Sequence, residues 1–257
     1  MLSSLLRQLV YYPVRSGMTQ LETLAERAGL EPWSHSFAGP MGWRRPDGIM
    51  GLRPPRCLLV FHGNAGYALD RTYFVEGFEA LETPRSWDVY LFEYPGYGAR
   101  PGTPSEKEFK RAAELGARAL LSDGRLLYLL GESLGSGLAA YLAGLLGNDV
   151  AGIVMVTPFT SLVDVARHHY PFLPMDLLLS EKYNSDEALR FYSGPAAFII
   201  AEKDEIVPAR LGKTLYDHYR GPKRLWIQQG KSHNTLDYHP RASWWREVSD
   251  FITSSRP

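Results

Sequence analysis

The chain has 257 residues, of which 45% are hydrophobic, and a chain of this length can bury one large core. Its 28 basic and 28 acidic residues cancel, so no global positive field favours nucleic acid and no acidic excess favours a cationic partner. We therefore expect a single domain over residues 1–257 that does not bind nucleic acid.

The N-terminal segment carries leucines at helical spacing, at Leu2, Leu5, Leu6 and Leu9. Arg7 and Gln8 interrupt the apolar stretch and no small-residue cleavage site follows, so a signal peptide and a membrane span are both unsupported. The spacing predicts a short helix. It either packs on its own domain or makes peripheral contact with a membrane through residues 2–12.

The single cysteine, Cys57, lies in an apolar run, where a buried thiol is expected. One cysteine cannot form an internal disulfide, which fits a reducing compartment. The expected location is cytoplasmic, and contact with a membrane surface stays open.

Secondary-structure patterns change after an aromatic-rich stretch at 32–46, which Gly39-Pro40 and Gly42 break into an antiparallel hairpin. Strand-length apolar runs follow at 57–61, 89–92, 126–130, 153–156, 198–201 and 225–227. Helical patterns lie at 67–81, 105–121, 133–146, 208–219 and 242–252. This alternation predicts a mostly parallel sheet covered by helices on both faces.

One interval breaks the alternation. Residues 157–194 contain no clear strand and are too long for an ordinary connection. Phe159, Phe172, Leu173 and Met175 lie in it, with Pro171 and Pro174 between them. We expect a small helical cap inserted in the domain, with these apolar side chains shaping a substrate pocket.

The stretch Gly131-Glu132-Ser133-Leu134-Gly135 fits two motifs. As G-x-S-x-G it is a strand-to-helix turn that exposes a nucleophilic serine. Shifted by four residues, 135–140 fits the dinucleotide fingerprint G-x-G-x-x-A. The fingerprint needs glycine directly after its strand and an acidic residue closing the next strand, and neither is present, so the nucleophile is favoured. Ser136 is expected to be a small packing residue.

A serine nucleophile requires a base and an acid, and both follow later strands. Glu202, Asp204 and Glu205 come after the strand that ends near residue 201, and the residues alone leave these three open. His233 follows the last strand in a glycine-flanked turn. The chain order serine, acid, histidine is that of the α/β hydrolases.

Five segments, "VFHGNAG", "EYPGYG" followed by "GTPSE", "GESLGSG", "EKDEIVP" and "GKSHN", resemble successive signatures of the α/β-hydrolase superfamily. The resemblance covers most of the chain from Cys57 onward and is closest to the abhydrolase-domain branch of depalmitoylases and esterases. It implies an α/β-hydrolase fold with a mostly parallel sheet of about eight strands and no cofactor. Glu93 and Arg100 depart from the branch, which commonly has Asp and Ser there.

The resemblance also implies site residues. Asp204 matches the family's acid before Ile206, giving the triad Ser133, Asp204 and His233. The oxyanion donors would be the backbone N–H groups of Leu134 and Asn64, with Ala65 as the alternative to Asn64. His62 would support the turn by hydrogen bonding and would not act as the base.

The function expected is a serine hydrolase that cleaves esters or thioesters of small acyl substrates through an acyl-serine intermediate. The apolar residues Phe159, Phe172, Leu173 and Met175 would bind the acyl group. An amidase or peptidase using the same triad is one alternative, and a non-catalytic binding scaffold is another. The sequence contains no H-E-x-x-H motif or other metal-ligand spacing, so no metal is expected.

Overall fold

The structure is a computed structural model that describes residues 9–35, 39–47, 53–82 and 85–254. The strands are β1 (Tyr12–Pro13), β2 (Glu31–His35), β3 (Gly39–Arg44), β4 (Arg56–Phe61), β5 (Ala65–Gly66), β6 (Trp87–Phe92), β7 (Leu126–Glu132), β8 (Val150–Val156), β9 (Ala196–Ala201) and β10 (Lys223–Gln228). The α-helices are α1 (Met18–Arg27), α2 (Thr72–Glu79), α3 (Glu106–Leu121), α4 (Leu134–Leu146), α5 (Leu162–His169), α6 (Met175–Leu178), α7 (Ser185–Ala188), α8 (Ala209–His218) and α9 (Trp244–Ser254).

Eight strands form the main sheet in the order β10-β9-β8-β7-β4-β6-β3-β2. Every pair from β10 to β6 is parallel, whereas β3 pairs antiparallel with both β6 and β2. The sheet is therefore mostly parallel, with the predicted hairpin at one edge. The carboxyl ends of β7, β9 and β10 point to one side, where the loops after them come together.

Two apolar cores lie on opposite faces of this sheet. Along β7, Leu127 and Leu129 face one core, while Tyr128 and Leu130 face the other, as expected when side chains alternate along a strand. Helices α3, α4 and α8 cover the first face, and α1, α2 and α9 cover the second. Both faces are covered, which explains why the central strands are continuous apolar runs.

The predicted elements largely coincide with those observed, and the α/β-hydrolase fold is confirmed. The predicted helix at 67–81 is shorter, because a 3₁₀ turn at Ala68–Arg71 precedes α2. Helix α1 and the short parallel pair β1–β5 were not predicted. The helical spacing of the N-terminus does not extend to Tyr12, which is extended in β1, and Leu2, Leu5 and Leu6 lie outside the described residues.

The 157–194 interval leaves the sheet at the carboxyl end of β8 and contains α5, α6 and α7. It is anchored to the N-terminal segment, since the Tyr11 hydroxyl donates to Glu181 and lies 2.9 Å from that of Tyr183. It is also anchored to α3, where the Glu106 carboxylate accepts the backbone N–H groups of Lys182 and Tyr183 at 2.6 and 3.0 Å. Among the helices in the described ranges, none has both the length and the apolar character to cross a membrane.

Candidate active site

Ser133 occupies the turn between β7 and α4 with φ 51° and ψ −118°. A residue with a side chain seldom adopts positive φ, and such a conformation costs about 1–3 kcal/mol, so the surrounding structure must enforce it. The flanking glycines make the turn possible. A Cβ on Gly131 would lie 2.3 Å from the Gly135 carbonyl oxygen, and one on Gly135 would lie 2.1 Å from that of Phe61. The G-x-S-x-G pattern thus has a steric cause.

Asp204 and His233 meet at the same edge of the sheet, from the loops after β9 and β10. The His233 Nδ1 lies 2.8 Å from Asp204 Oδ2. The other carboxylate oxygen accepts the backbone N–H groups of Ile206 and Val207 at 3.0 and 2.8 Å, which fixes the carboxylate plane. This arrangement leaves the Nε2 side of the imidazole available for another group.

The competing carboxylates have other positions. Glu202 accepts the backbone N–H of Gly230 at 2.7 Å and so fastens the start of the histidine loop. Glu205 is exposed to solvent. Within the described residues, the carboxylate bonded to His233 is that of Asp204, and no direct hydrogen bond joins His233 to the Ser133 hydroxyl.

The turn after β4 lies against Ser133, since a Cβ on Gly63 would be 3.7 Å from the Ser133 Cβ. The Asn64 side chain donates to the Val10 carbonyl at 2.9 Å, and its own carbonyl accepts Tyr12 N–H at 3.0 Å and Tyr97 O–H at 2.8 Å. The N–H of Asn64 belongs to the same peptide unit as the Gly63 carbonyl, and His62 helps to orient that unit because its Nδ1 lies 2.7 Å from the Gly63 oxygen. No acceptor for this N–H occurs within the described ranges.

Leu134 is the first residue of α4, so its N–H has no acceptor within the helix. Leu134 and Asn64 line the same cavity as Ser133, whereas Ala65 does not contribute to its wall. His62 is buried outside the cavity wall. Its Nδ1 lies 2.7 Å from the Gly63 carbonyl oxygen and its Nε2 lies 3.3 Å from Glu93 Oε1.

The two departures from the branch pattern lie away from the cavity. Glu93 accepts the backbone N–H of Ala68, at 3.3 and 3.2 Å from its two oxygens. The Arg100 guanidinium donates to the Glu93 carbonyl at 2.6 Å and lies 4.9 Å from the Phe92 ring centre. Burial lowers the pKa of Arg100 to about 10, which leaves it charged at neutral pH. Arg100 therefore supports the turn after β6, and the Glu93 carboxylate connects that turn to the 3₁₀ turn at Ala68–Arg71.

The cavity has a volume of ≈ 300 Å³, at the lower end of the ~300–1,000 Å³ usual for ligand pockets. Its wall is mainly apolar: Leu9, Val10, Tyr12, Phe159, Leu162, Val165, Ala166, Tyr170, Met175, Leu179, Ile206 and Val207, with His169 among them. His169 is fastened by a 2.8 Å contact between its Nε2 and the Ile206 carbonyl oxygen. Ser133 lies in this wall, so a bound acyl group would have apolar surroundings beside a hydroxyl.

The structure brings only part of the predicted pocket to this cavity. Phe159 and Met175 line it, but Phe172 and Leu173 do not, and their side chains are 97% and 50% exposed. The N-terminal residues Leu9, Val10 and Tyr12 also line the cavity, which the sequence did not predict. They reach the cavity because β1 pairs with β5 directly after the Asn64 turn.

Glu132, beside Ser133, joins the separate parts of the site. Its carboxylate accepts Arg71 Nε at 2.8 Å, Tyr73 O–H at 2.9 Å, Tyr238 O–H at 3.2 Å and Gly63 N–H at 3.3 Å. Burial alone raises the pKa of Glu132, but the Arg71 charge and the hydrogen bonds outweigh it, so the pKa is lowered. The anion links the Ser133 turn, the turn at Gly63 and Asn64, and the loop that carries His233 and Tyr238. The sequence motif left this position unspecified, so its role was missed.

Comparison with known proteins agrees with the fold. A family model for the alpha/beta hydrolase fold matches residues 56–180. An uncharacterised protein of Mycobacterium tuberculosis is 35% identical over 89% of this chain and 80% of its own length. The lysophosphatidylserine lipase ABHD12 of Danio rerio is 30% identical, over 62% of this chain and 46% of its own length.

Among solved structures, an esterase of Pyrococcus furiosus superposes with a TM-score of 0.68 at 17% identity, covering 96% of this chain and 97% of its own. At that identity the similarity establishes the shared fold. Together with the eight-stranded sheet, the positive-φ serine turn and the relatives in sequence, it places the chain in a family. This protein belongs to the α/β-hydrolase superfamily.

Proposed function

We propose that this protein is a serine hydrolase that cleaves carboxylic ester or thioester bonds of acyl substrates. The observation that carries the proposal is that Ser133, Leu134 and Asn64 line the wall of one mainly apolar cavity. The His233–Asp204 pair at the same sheet edge supports it. The lipase activity named for ABHD12 is a further support, from a relative that shares only part of its length.

In the proposed mechanism, the Ser133 oxygen attacks the acyl carbon while its proton passes to Nε2 of His233. Asp204 holds Nδ1–H of the imidazole and stabilises the imidazolium that forms. The negative oxygen of the tetrahedral intermediate accepts the N–H groups of Leu134 and Asn64. Each such donor contributes about 3–4 kcal/mol to the stabilisation of the transition state.

Collapse of the intermediate breaks the bond to the leaving group, which takes the proton from His233. The acyl-Ser133 ester remains. Water then attacks this ester with His233 again accepting a proton, and a second collapse releases the acid and restores the serine. These steps use groups of the chain itself and need no cofactor.

The domain organisation is part of the proposal. Residues 1–257 form one domain, and 157–194 form a cap whose inner side chains, among them Phe159 and Met175, contact the acyl group. Since the cavity is small and apolar, linear acyl groups fit it better than bulky polar ones.

The decisive experiment measures kcat/KM on p-nitrophenyl esters of increasing acyl length beside a matched series of acyl thioesters, with the corresponding anilides as the amide series. Turnover of esters or thioesters well above that of anilides supports the proposal. Faster anilide turnover would indicate an amidase, and absence of turnover in all three series would support a binding scaffold.

A further inference from the structure

Most of the large exposed hydrophobic side chains lie in the cavity wall or within two residues of it along the chain. We call this cluster the entrance surface: Leu9, Tyr12, Val14, Tyr170, Phe172, Leu173, Leu177 and Ile206. Four of them, Leu9, Tyr12, Tyr170 and Ile206, also line the cavity, so the surface is continuous with its wall. Phe172 and Leu177 project furthest, with 97% and 86% of their surface exposed.

This clustering differs from the isolated exposed hydrophobics that soluble proteins normally carry. Within the described ranges, the large exposed hydrophobics outside the entrance surface are Leu115, Leu145 and Phe191. They lie on helix α3, on α4 and after α7, away from the cavity. The concentration on one face therefore indicates contact with an apolar partner there.

The most exposed members have no structural role that explains them. The short turn at 170–173, closed by the Leu173 N–H to the Tyr170 carbonyl at 3.1 Å, displays Phe172 to solvent. On α6, Met175 is buried at the cavity while Leu177 points away from it. The chain thus divides its apolar residues here between the cavity wall and an outward surface.

The position of the cavity mouth selects the kind of partner. A second copy of the chain or another folded protein that covered this face would close the route to Ser133. A lipid layer would cover the same side chains and also supply acyl substrate to the mouth. We propose that the entrance surface inserts into a lipid surface, from which a lipid acyl ester or thioester passes directly into the cavity; the identity of this substrate rests on the function proposed above.

Charges at the margin make a smaller contribution. The guanidinium of Arg210 contacts His168 at 3.4 Å, and that of Arg15 donates to the carbonyls of Arg100 and Gly102. Neither guanidinium has a carboxylate partner within the described ranges, so neither charge is neutralised and both would attract anionic headgroups. The exposed Glu205 beside Ile206 opposes this attraction, so the apolar contact dominates.

The test is flotation of the full chain with vesicles of phosphatidylcholine, alone and mixed with phosphatidylglycerol. The entrance variant is Phe172→Ser with Leu177→Ser, and the matched control is Leu145→Ser with Phe191→Ser. Since each withdrawn aromatic or leucine side chain contributes on the order of tenfold, the entrance variant should bind at least about tenfold more weakly. The control should bind like the wild type.

Flotation requires no turnover, so it tests the surface even if the proposed chemistry fails. A parallel assay with water-soluble p-nitrophenyl butyrate tests the chemistry, and there the entrance variant should match the wild type. Equal vesicle binding by the entrance variant and the wild type overturns the proposal, as does a wild type that does not float.

Two further outcomes would replace it. If Leu5→Ser with Leu6→Ser abolishes flotation while the entrance variant binds normally, the first residues make the contact instead. If sedimentation shows a dimer that the entrance variant dissociates, and vesicles do not bind, a second copy covers the face.

Discussion

Arg71 Nε donates a 2.8 Å hydrogen bond to the carboxylate of Glu132, the residue directly before Ser133. The two side chains are 17% and 13% exposed, so most of the ion pair is withdrawn from water. Removing one partner of such a pair is costly because the other stays buried and unpaired. Glu132 also holds Gly63 and Tyr238, so this pair connects stability with the geometry of the site.

Glu132→Gln is therefore expected to lower the free energy of unfolding by about 3 kcal/mol. The matched control is Glu114→Gln, which removes the exposed pair with Arg118 on α3. Its expected cost is below about 0.5 kcal/mol. Urea unfolding at neutral pH measures both, and equal losses would show that the buried pair has no special contribution.

The same pair predicts a pH dependence. The folded-state pKa of Glu132 lies below its usual value of 4.5, so its contribution is fully present above that pH and is lost as pH falls through the folded pKa. The stability difference between wild type and Glu132→Gln should stay constant above pH 4.5 and shrink below it. Urea midpoints over a pH series test the sign, and a difference that grows on acidification contradicts it.

A fluorophosphonate should label the protein at Ser133. Ser133→Ala should abolish labelling and lower kcat roughly a million-fold, as loss of a nucleophile does in a comparable triad. Ser136→Ala is the control, because the Ser136 hydroxyl donates to the Ser133 carbonyl at 2.7 Å and lies outside the cavity. Peptide mapping identifies the labelled residue, and a label on any other serine would refute the assignment.

Asp204→Asn should reduce kcat about ten thousand-fold, because an amide no longer holds the imidazole in the tautomer that accepts a proton. Glu202→Gln should have a far smaller effect, since Glu202 bonds Gly230 rather than His233. Glu205→Gln should have almost none. Steady-state kinetics on the best ester rank the three variants, and a larger loss from Glu202→Gln would move the acid to that residue.

Ala166 lies in the cavity wall, so Ala166→Leu should shorten the space for the acyl group. We expect kcat/KM for acetate esters to change little and that for long-chain esters to fall at least tenfold, since each excluded methylene forfeits about 0.8 kcal/mol. Phe172→Ala is the control, because Phe172 lies outside the cavity, and its chain-length profile on soluble esters should match the wild type. Parallel profiles for Ala166→Leu and the wild type would mean that the acyl chain lies elsewhere.

The parts of the molecule that sequence predicts well are those fixed by local pattern. The β7 run, its following helix and the glycines around Ser133 were visible because strand periodicity and a steric turn each leave a short signature. Phe172 and Met175 show the opposite case. Both are large apolar residues that directly follow a proline, yet Phe172 is exposed and Met175 lines the cavity. Which of the two residues is buried depends on how the short helix α6 packs in the tertiary structure. A helix of four residues is too short for its hydrophobic periodicity to predict that packing.

Glu132 was missed for a related reason. Its partners Arg71, Tyr73 and Tyr238 come from distant parts of the chain and none carries a recognisable motif. The wall formed by the N-terminal segment is also non-local, because a two-residue strand pair is too short to leave a pattern. The parts of the site that the motifs did not predict, the Glu132 contacts and the N-terminal part of the cavity wall, are therefore those formed by packing between segments distant in the sequence.

The pairing of β1 with β5 has a consequence for how this protein can be recombined with its relatives. Val10 and Tyr12 form hydrogen bonds with Asn64 through their backbones and line the cavity, although the match to the family model begins only at residue 56. A chimaera that exchanged the N-terminal segment would leave Ser133, Asp204 and His233 untouched. It would nevertheless replace part of the cavity wall and part of the support for the Asn64 turn. Two relatives with the same signature motifs can therefore differ in substrate specificity through their N-terminal segments.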